Sequence, residues 1–151
     1  MASTPKQIFK GSCHCGLISY TVRVALPNPP VASRCNCTIC QKTGFTSLAL
    51  ESSSDFELQT PKSLDELADY QFGTNSAIHR YFCTKCGVNV FSWGRYEYEG
   101  TVTRFQSVNV LTLDQPQEGL ELSEWKIEYW DGRADNWAGG RKERPWPSGL
   151  V

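Results

Sequence analysis

The chain has 151 residues, 40% of them hydrophobic and 12% aromatic, which is enough for one globular core and too apolar for a disordered segment. Its formal charge is −1, and its 15 basic and 16 acidic side chains are scattered, so it carries no cationic footprint for nucleic acid or an anionic membrane. No apolar run approaches the ~20 residues needed to span a bilayer, and MASTPKQIFK lacks a signal-peptide apolar stretch, so a thiol-reducing cytosolic or nuclear setting is expected.

Residues 1–10 read as an extended lead-in with Ile8 and Phe9 available for packing. GSCHCG follows. In extended chain, residues i and i+2 share a face, so Cys13 and Cys15 can present two sulfurs to one point while His14 points away. Gly16 permits a backbone turn that leaves N–H groups facing thiolates. ISYTVRV alternates, with Ile18, Tyr20, Val22 and Val24 on one face and Ser19, Thr21 and Arg23 on the other. That is a half-buried strand, ended by Pro27, Pro29 and Pro30. Val31 to Arg34 leads into CNCTIC, where Cys35 and Cys37 repeat the extended spacing and Cys40 returns after a turn.

FTSLALE reads as a strand, SSSD as a turn, and FELQT as a short strand stopped by Pro61. SLDELADYQF carries both helical and strand signals. A strand is preferred because AIHRYFC beyond it is strand-like, with GTNS between them as a hairpin turn. FCTKCG is a knuckle, with Gly87 after its second cysteine. VNVFSW alternates and should pair nearby, residues 96–100 form a polar turn, and TVTRFQSVNVLTL is the longest strand. DQPQEG is a loop, EWKIEYW a late strand, and the tail from Asp131 is rich in Gly, Pro and Trp without periodicity. Residues 1–151 are therefore expected to form a single all-β domain of several small antiparallel sheets stitched by metal.

Seven cysteines dominate the chemistry. An odd count, C-x-C and C-x-x-C spacings and a reducing compartment favour metal thiolates over disulfides. Cys13, Cys15, Cys83 and Cys86 supply the four thiolates of a closed structural zinc. A competing pairing joins the three central cysteines to one of the others. With the quartet satisfied, Cys35, Cys37 and Cys40 remain as three ligands with an open fourth position, the pattern of a catalytic zinc. The alternatives are a buried core cysteine among incidental thiols, or a closed site completed by His14 or His79. Three thiolates make such a zinc a weak Lewis acid but a good partner for a substrate sulfur.

Other candidates carry less information. Arg34 and Lys42 flank the triad and can hold a substrate carboxylate, against the ordinary alternative of solvated surface cations. His79 reads as a hydrogen-bonded strand histidine rather than a general base. Trp93, Trp125, Trp130, Trp137 and Trp146 line either a pocket or the core. Asp131 and Asp135 are acid/base groups or, more simply, turn formers.

The order GSCHCG, CNCTICQKTG and RYFCTKCGVNVF resembles the glutathione-dependent formaldehyde-activating enzyme family, whose domain is shared with centromere protein V. EYWDGRADNWAGG also looks like the family's ending. The resemblance implies a zinc-stitched all-β fold, with one structural zinc on Cys13, Cys15, Cys83 and Cys86 and a second, catalytic-type zinc on Cys35, Cys37 and Cys40. It implies carbon–sulfur lyase chemistry on a thiol–aldehyde adduct, with glutathione as cosubstrate and a small molecule as the partner. Two other classes are a zinc-stapled interaction module and a redox or zinc sensor. The enzyme is preferred because no basic or low-complexity extension accompanies the domain.

Overall fold

The computed structural model describes residues 4–72 and 77–150. Its strands are β1 (Gln7–Ser12), β2 (Ser19–Val24), β3 (Val31–Cys35), β4 (Ser47–Ala49), β5 (Phe56–Thr60), β6 (Ala68–Tyr70), β7 (Ile78–Phe82), β8 (Asn89–Tyr98), β9 (Thr101–Asn109) and β10 (Lys126–Trp130). One short helix, α1 (Thr38–Thr43), follows β3. No helix among the described residues is long and apolar enough to cross a membrane.

The fold is all-β, as expected, but the strands gather into two sheets rather than several. β1, β2 and β5 form a three-stranded sheet; the other seven run in the order β10-β3-β4-β9-β8-β7-β6. The large sheet exists because β8 and β9 are long and offer pairing edges on both sides. One pair is parallel, β10 against β3, with Trp130 opposite Cys35.

The two sheets meet through aromatic rings. Phe56 on β5 lies 5.4 Å from Tyr20 and 4.6 Å from Phe91 on β8, and Phe91 stacks on Tyr81 at 4.8 Å. Phe9, Ile18, Val22 and Val108 fill the space around them. Tyr20 is buried, which pushes its phenol pKa up, and its hydroxyl shares a 2.7 Å hydrogen bond with Thr112 Oγ1.

Local readings changed where tertiary pairing intervened. Phe9 is buried at 1% but Ile8 is 65% exposed, because adjacent residues of a strand cannot both face the core. The polar turn at 96–100 shrinks to Glu99 and Gly100, both at positive φ, since β9 pairs with β8 as far as Tyr98. The strand expected to be longest, β9, has nine residues against ten in β8, because it stops at Asn109, whose side chain accepts from the amides of Leu111 and Thr46 and starts a 3₁₀ turn. SLDELADYQF divides into a 3₁₀ turn capped by Ser63 and the strand β6. The GTNS turn lies outside the described residues.

Gly11 is required by close approach. A Cβ at this position would overlap the Tyr20 ring. Gly11→Ala is expected to lose about 1–3 kcal/mol of stability through overpacking, measurable as a lower denaturant midpoint with an unchanged m-value.

Candidate metal centres

Each sheet donates one cysteine turn to the first centre. Cys13 and Cys15 lie in the β1–β2 turn of the small sheet; Cys83 and Cys86 lie in the β7–β8 turn of the large one. The two turns share a hydrogen-bond scheme. Cys13 N donates to Ile18 O and Cys83 N to Val88 O; Gly16 N donates to Cys13 O and Gly87 N to Cys83 O. Gly16 and Gly87 both sit at positive φ, which is why a glycine follows each pair. Amides then point at sulfur: Ile18 N lies 3.3 Å from Cys13 Sγ, and Lys85 N and Cys86 N lie 3.3 and 3.4 Å from Cys83 Sγ.

The four sulfurs lie within 4.8 Å of one another, and no histidine belongs to the group. The separations Cys13–Cys15 (3.7 Å) and Cys15–Cys83 (3.5 Å) approach the roughly 3.8 Å edge of a tetrahedron with Zn–S near 2.3 Å. The donor set therefore fits a tetrahedral thiolate-bound metal. Cys13 and Cys83 are buried. Burial pushes the Cys13 thiol up to about 11. At Cys83 burial acts the same way, but the amides of Cys86 and Lys85 prevail and the thiol is lowered; backbone hydrogen bonding holds Cys86 down to about 6.

The second group is Cys35, Cys37 and Cys40, all half-buried, with sulfurs again within 4.8 Å. Cys35 ends β3, Cys37 caps the start of α1, and Cys40 sits within it. The expected simple turn is thus a helical one, closed by Gly44 in the left-handed conformation. All seven cysteines are free thiols. The triad shares protons unevenly: hydrogen bonds from Cys35 and Cys40 lower Cys37, with a further contribution from the nearby Arg80 guanidinium. The same contacts raise Cys40. Three sulfurs this close cannot all be thiolates without a cation among them, so the donor set fits a soft metal ion.

The triad is held by the chain's tail. Asn36, between two of the cysteines, is 3% exposed, yet every polar group it owns is used. Its Nδ2 donates to Asp131 Oδ1 at 2.8 Å and to Pro147 O at 3.0 Å. Its Oδ1 accepts from Arg133 N, and its carbonyl from Arg133 Nε. Its amide donates to Trp130 O. Asp131 is buried and also accepts from Asn136. Its carboxylate caps no turn and instead accepts across the fold, while Asp135 ends a 3₁₀ turn at positive φ on the surface. Gly132 backs onto the sulfur of Cys35 and the indole of Trp137; a Cβ there would overlap both. Trp137 packs against Trp130 at 5.9 Å between ring centres.

The remaining candidates separate. Arg34 Nε donates to Thr46 Oγ1 at 3.1 Å, and strand alternation turns it to the face opposite Cys35. Lys42 is exposed on the last turn of α1. His79 Nδ1 lies 2.6 Å from Asp69 Oδ2, a committed hydrogen-bond pair, and His14 is exposed between its two cysteines. Trp93 joins the aromatic core, and Trp146 Nε1 donates to Tyr129 O. An open groove lined by Trp93, His79, Arg95 and Arg104 contains no thiol. Sequence reasoning passed over Arg80 and Asn36. Arg80 stands three residues before Cys83, so its position associates it with the other metal centre. Asn36 is hidden between two more conspicuous residues.

The fold and the two cysteine centres define a β protein with one four-thiol and one three-thiol cluster. The comparisons agree on its kind. Residues 8–127 match the glutathione-dependent formaldehyde-activating enzyme family, and the chain belongs to that family. A Halomonas elongata protein, provisionally named a glutathione-dependent formaldehyde-activating enzyme, is 35% identical over 119 residues, covering 76% of this chain and 74% of its own length. The tail that holds the triad lies beyond the family match.

Asn36→Ala would strand the Asp131 carboxylate and the Arg133 amide in a buried site. It is expected to destabilise the fold by about 2 kcal/mol or more, read by chemical denaturation.

Proposed function

We propose that this chain is a zinc-dependent carbon–sulfur lyase acting on the adduct of an aldehyde with glutathione or a similar small thiol. The observation that carries the reading is the division of seven cysteines into a group of four and a separate group of three. Four thiolates close a structural site; three leave a position open. Cys13, Cys15, Cys83 and Cys86 would hold the first zinc and Cys35, Cys37 and Cys40 the second. Zinc on three thiolates supplies a soft Lewis acid that favours the ionised form of an incoming thiol.

The residues of the chain do the rest. The Asn36–Asp131 clamp fixes the backbone between Cys35 and Cys37, so the sulfurs keep their relation to one another. Gly132 and Trp137 pack against the Cys35 side of the triad. In the addition direction the substrate sulfur attacks the aldehyde carbon, and a C–S bond forms. The carbonyl π pair moves to oxygen, which takes the proton the thiol gave up. The reverse breaks the C–S bond and returns aldehyde and thiol. The free thiols suit the reducing cytosol, where glutathione is the abundant thiol. The family's name and the Halomonas elongata relative's name support glutathione as the thiol.

Protein purified without chelator should carry about two zinc ions per chain by elemental analysis. Cys37→Ser should fall to about one and lose thiol–aldehyde turnover while staying folded. A ratio near one in the parent, with three titratable thiols, would defeat the reading, as would full activity in Cys37→Ser on every thiol–aldehyde pair tried. Gly132→Ala should shed the same single zinc, because its Cβ displaces the Cys35 sulfur and leaves the quartet untouched.

A further inference from the structure

We infer that the open groove along the large sheet is a binding site for an adenine nucleotide, in which Trp93 stacks on the base, Gln106 reads its edge, and Arg95 and Arg104 hold the phosphate. No cysteine lines this groove, so the site is separate from both cysteine groups.

Strand register sets the four side chains on one face. Phe91 on β8 and Val108 on β9 stand opposite each other, both 0% exposed. Two residues further out Trp93 stands opposite Gln106, and two further again Arg95 stands opposite Arg104. Alternation therefore carries the core face outward, from apolar residues to an indole and an amide, and then to two cations. Phe56 and Leu58 on β5 of the small sheet supply the facing wall. The Phe56 ring meets the Trp93 indole edge-on, at 6.5 Å between centres.

Gln106 is 6% exposed, yet its carboxamide makes no hydrogen bond among the described residues. Its backbone carbonyl accepts from Leu50 N, which leaves the side chain uncommitted. Among the described residues the one fully enclosed side-chain polar atom without a partner is Trp125 Nε1, so the Gln106 amide opens to the groove it lines. A largely buried amide of this kind calls for a polar partner. Its donor and acceptor lie side by side, which matches the N6 amino group and N7 of adenine. The half-buried indole across the strand pair offers a flat apolar surface on which a base stacks.

Arg95 and Arg104 supply the other half of the ligand's chemistry. Residues directly opposite on paired strands have Cβ atoms roughly 4.5–5.5 Å apart, and like charges there repel. No described group relieves the two guanidinium groups: neither joins an ion pair, a side-chain hydrogen bond or a ring contact. Glu51, also in the groove, is paired with Lys6, and Glu97 stands one pair further out, opposite Val102. A carboxylate carries one charge and fills one guanidinium fork. A phosphomonoester carries close to two charges and offers three oxygens, so it can satisfy both arginines. From Trp93 to Arg95 the strand advances roughly 7 Å, a span suited to the ribose between a base and its 5′-phosphate.

The test is equilibrium dialysis of the full chain, purified without chelator, against adenosine 5′-monophosphate, adenosine and inorganic phosphate. The nucleotide is expected to bind about tenfold or more tightly than either of its parts. Arg95→Gln and Arg104→Gln should each weaken the nucleotide by about tenfold and leave adenosine unchanged. Gln106→Leu should weaken the nucleotide and adenosine alike and leave inorganic phosphate unchanged. Both arginines are exposed, so their variants should keep the parent's urea midpoint. Absence of nucleotide binding would overturn the inference. So would a nucleotide affinity no better than that of inorganic phosphate, which marks an anion patch only, or an affinity indifferent to both arginine substitutions. Each of these results leaves the lyase reading standing, because that reading rests on the cysteines.

Discussion

The structure depends on two hairpin turns meeting at one point. The β1–β2 turn belongs to the small sheet and the β7–β8 turn to the large one, and their four sulfurs converge within metal-binding distance. The sulfurs join the sheets at that end; the aromatic contact of Tyr20, Phe56 and Phe91 joins them along their faces. Closing a loop of this length costs entropy that grows only slowly with chain length. A thiolate-bound zinc contributes on the order of 10–16 kcal/mol in small domains, so one such ion, if held there, would be sufficient to offset that closure. The turns are prepared for it by their glycines and by amides aimed at sulfur.

The second centre is built on the opposite logic. Its three cysteines are close in sequence, at the end of β3 and the start of α1, so little loop closure is involved. What they need is orientation, and the tail supplies it through Asn36. This single buried asparagine exchanges hydrogen bonds with Trp130, Asp131, Arg133 and Pro147. The parallel pairing of β10 with β3 brings that segment alongside: Trp130 lies opposite Cys35, and the chain turns directly over the triad. A four-sulfur group drawn from both sheets and a three-sulfur group held by the tail follow from these two constructions.

Part of this is legible in the residues. Alternation marked β2 and the start of β8, Pro61 marked the end of β5, and the cysteine spacings marked three ligand-bearing turns. These features are local: side-chain periodicity, turn chemistry and ligand spacing act over a few residues. Less legible were Ile8, the split of SLDELADYQF, and the length of β8, because each depended on which strand paired alongside. A strand's inward face is chosen by its partner sheet, and its length by the reach of its neighbour.

The sequence alone determined the local cysteine turns, the all-β character and the family to which the chain belongs. It did so because cysteines at C-x-C and C-x-x-C spacing bring their sulfurs to one point through the local backbone, whatever the rest of the chain does. Tertiary structure alone decided that the two cysteine pairs come from different sheets and meet at one point, and that Asn36 and Asp131 hold the triad. Those relations join residues distant in the chain, 95 positions in the case of Asn36 and Asp131. No pattern along the chain encodes them, since they arise only when strand register and sheet order bring the parts to one place.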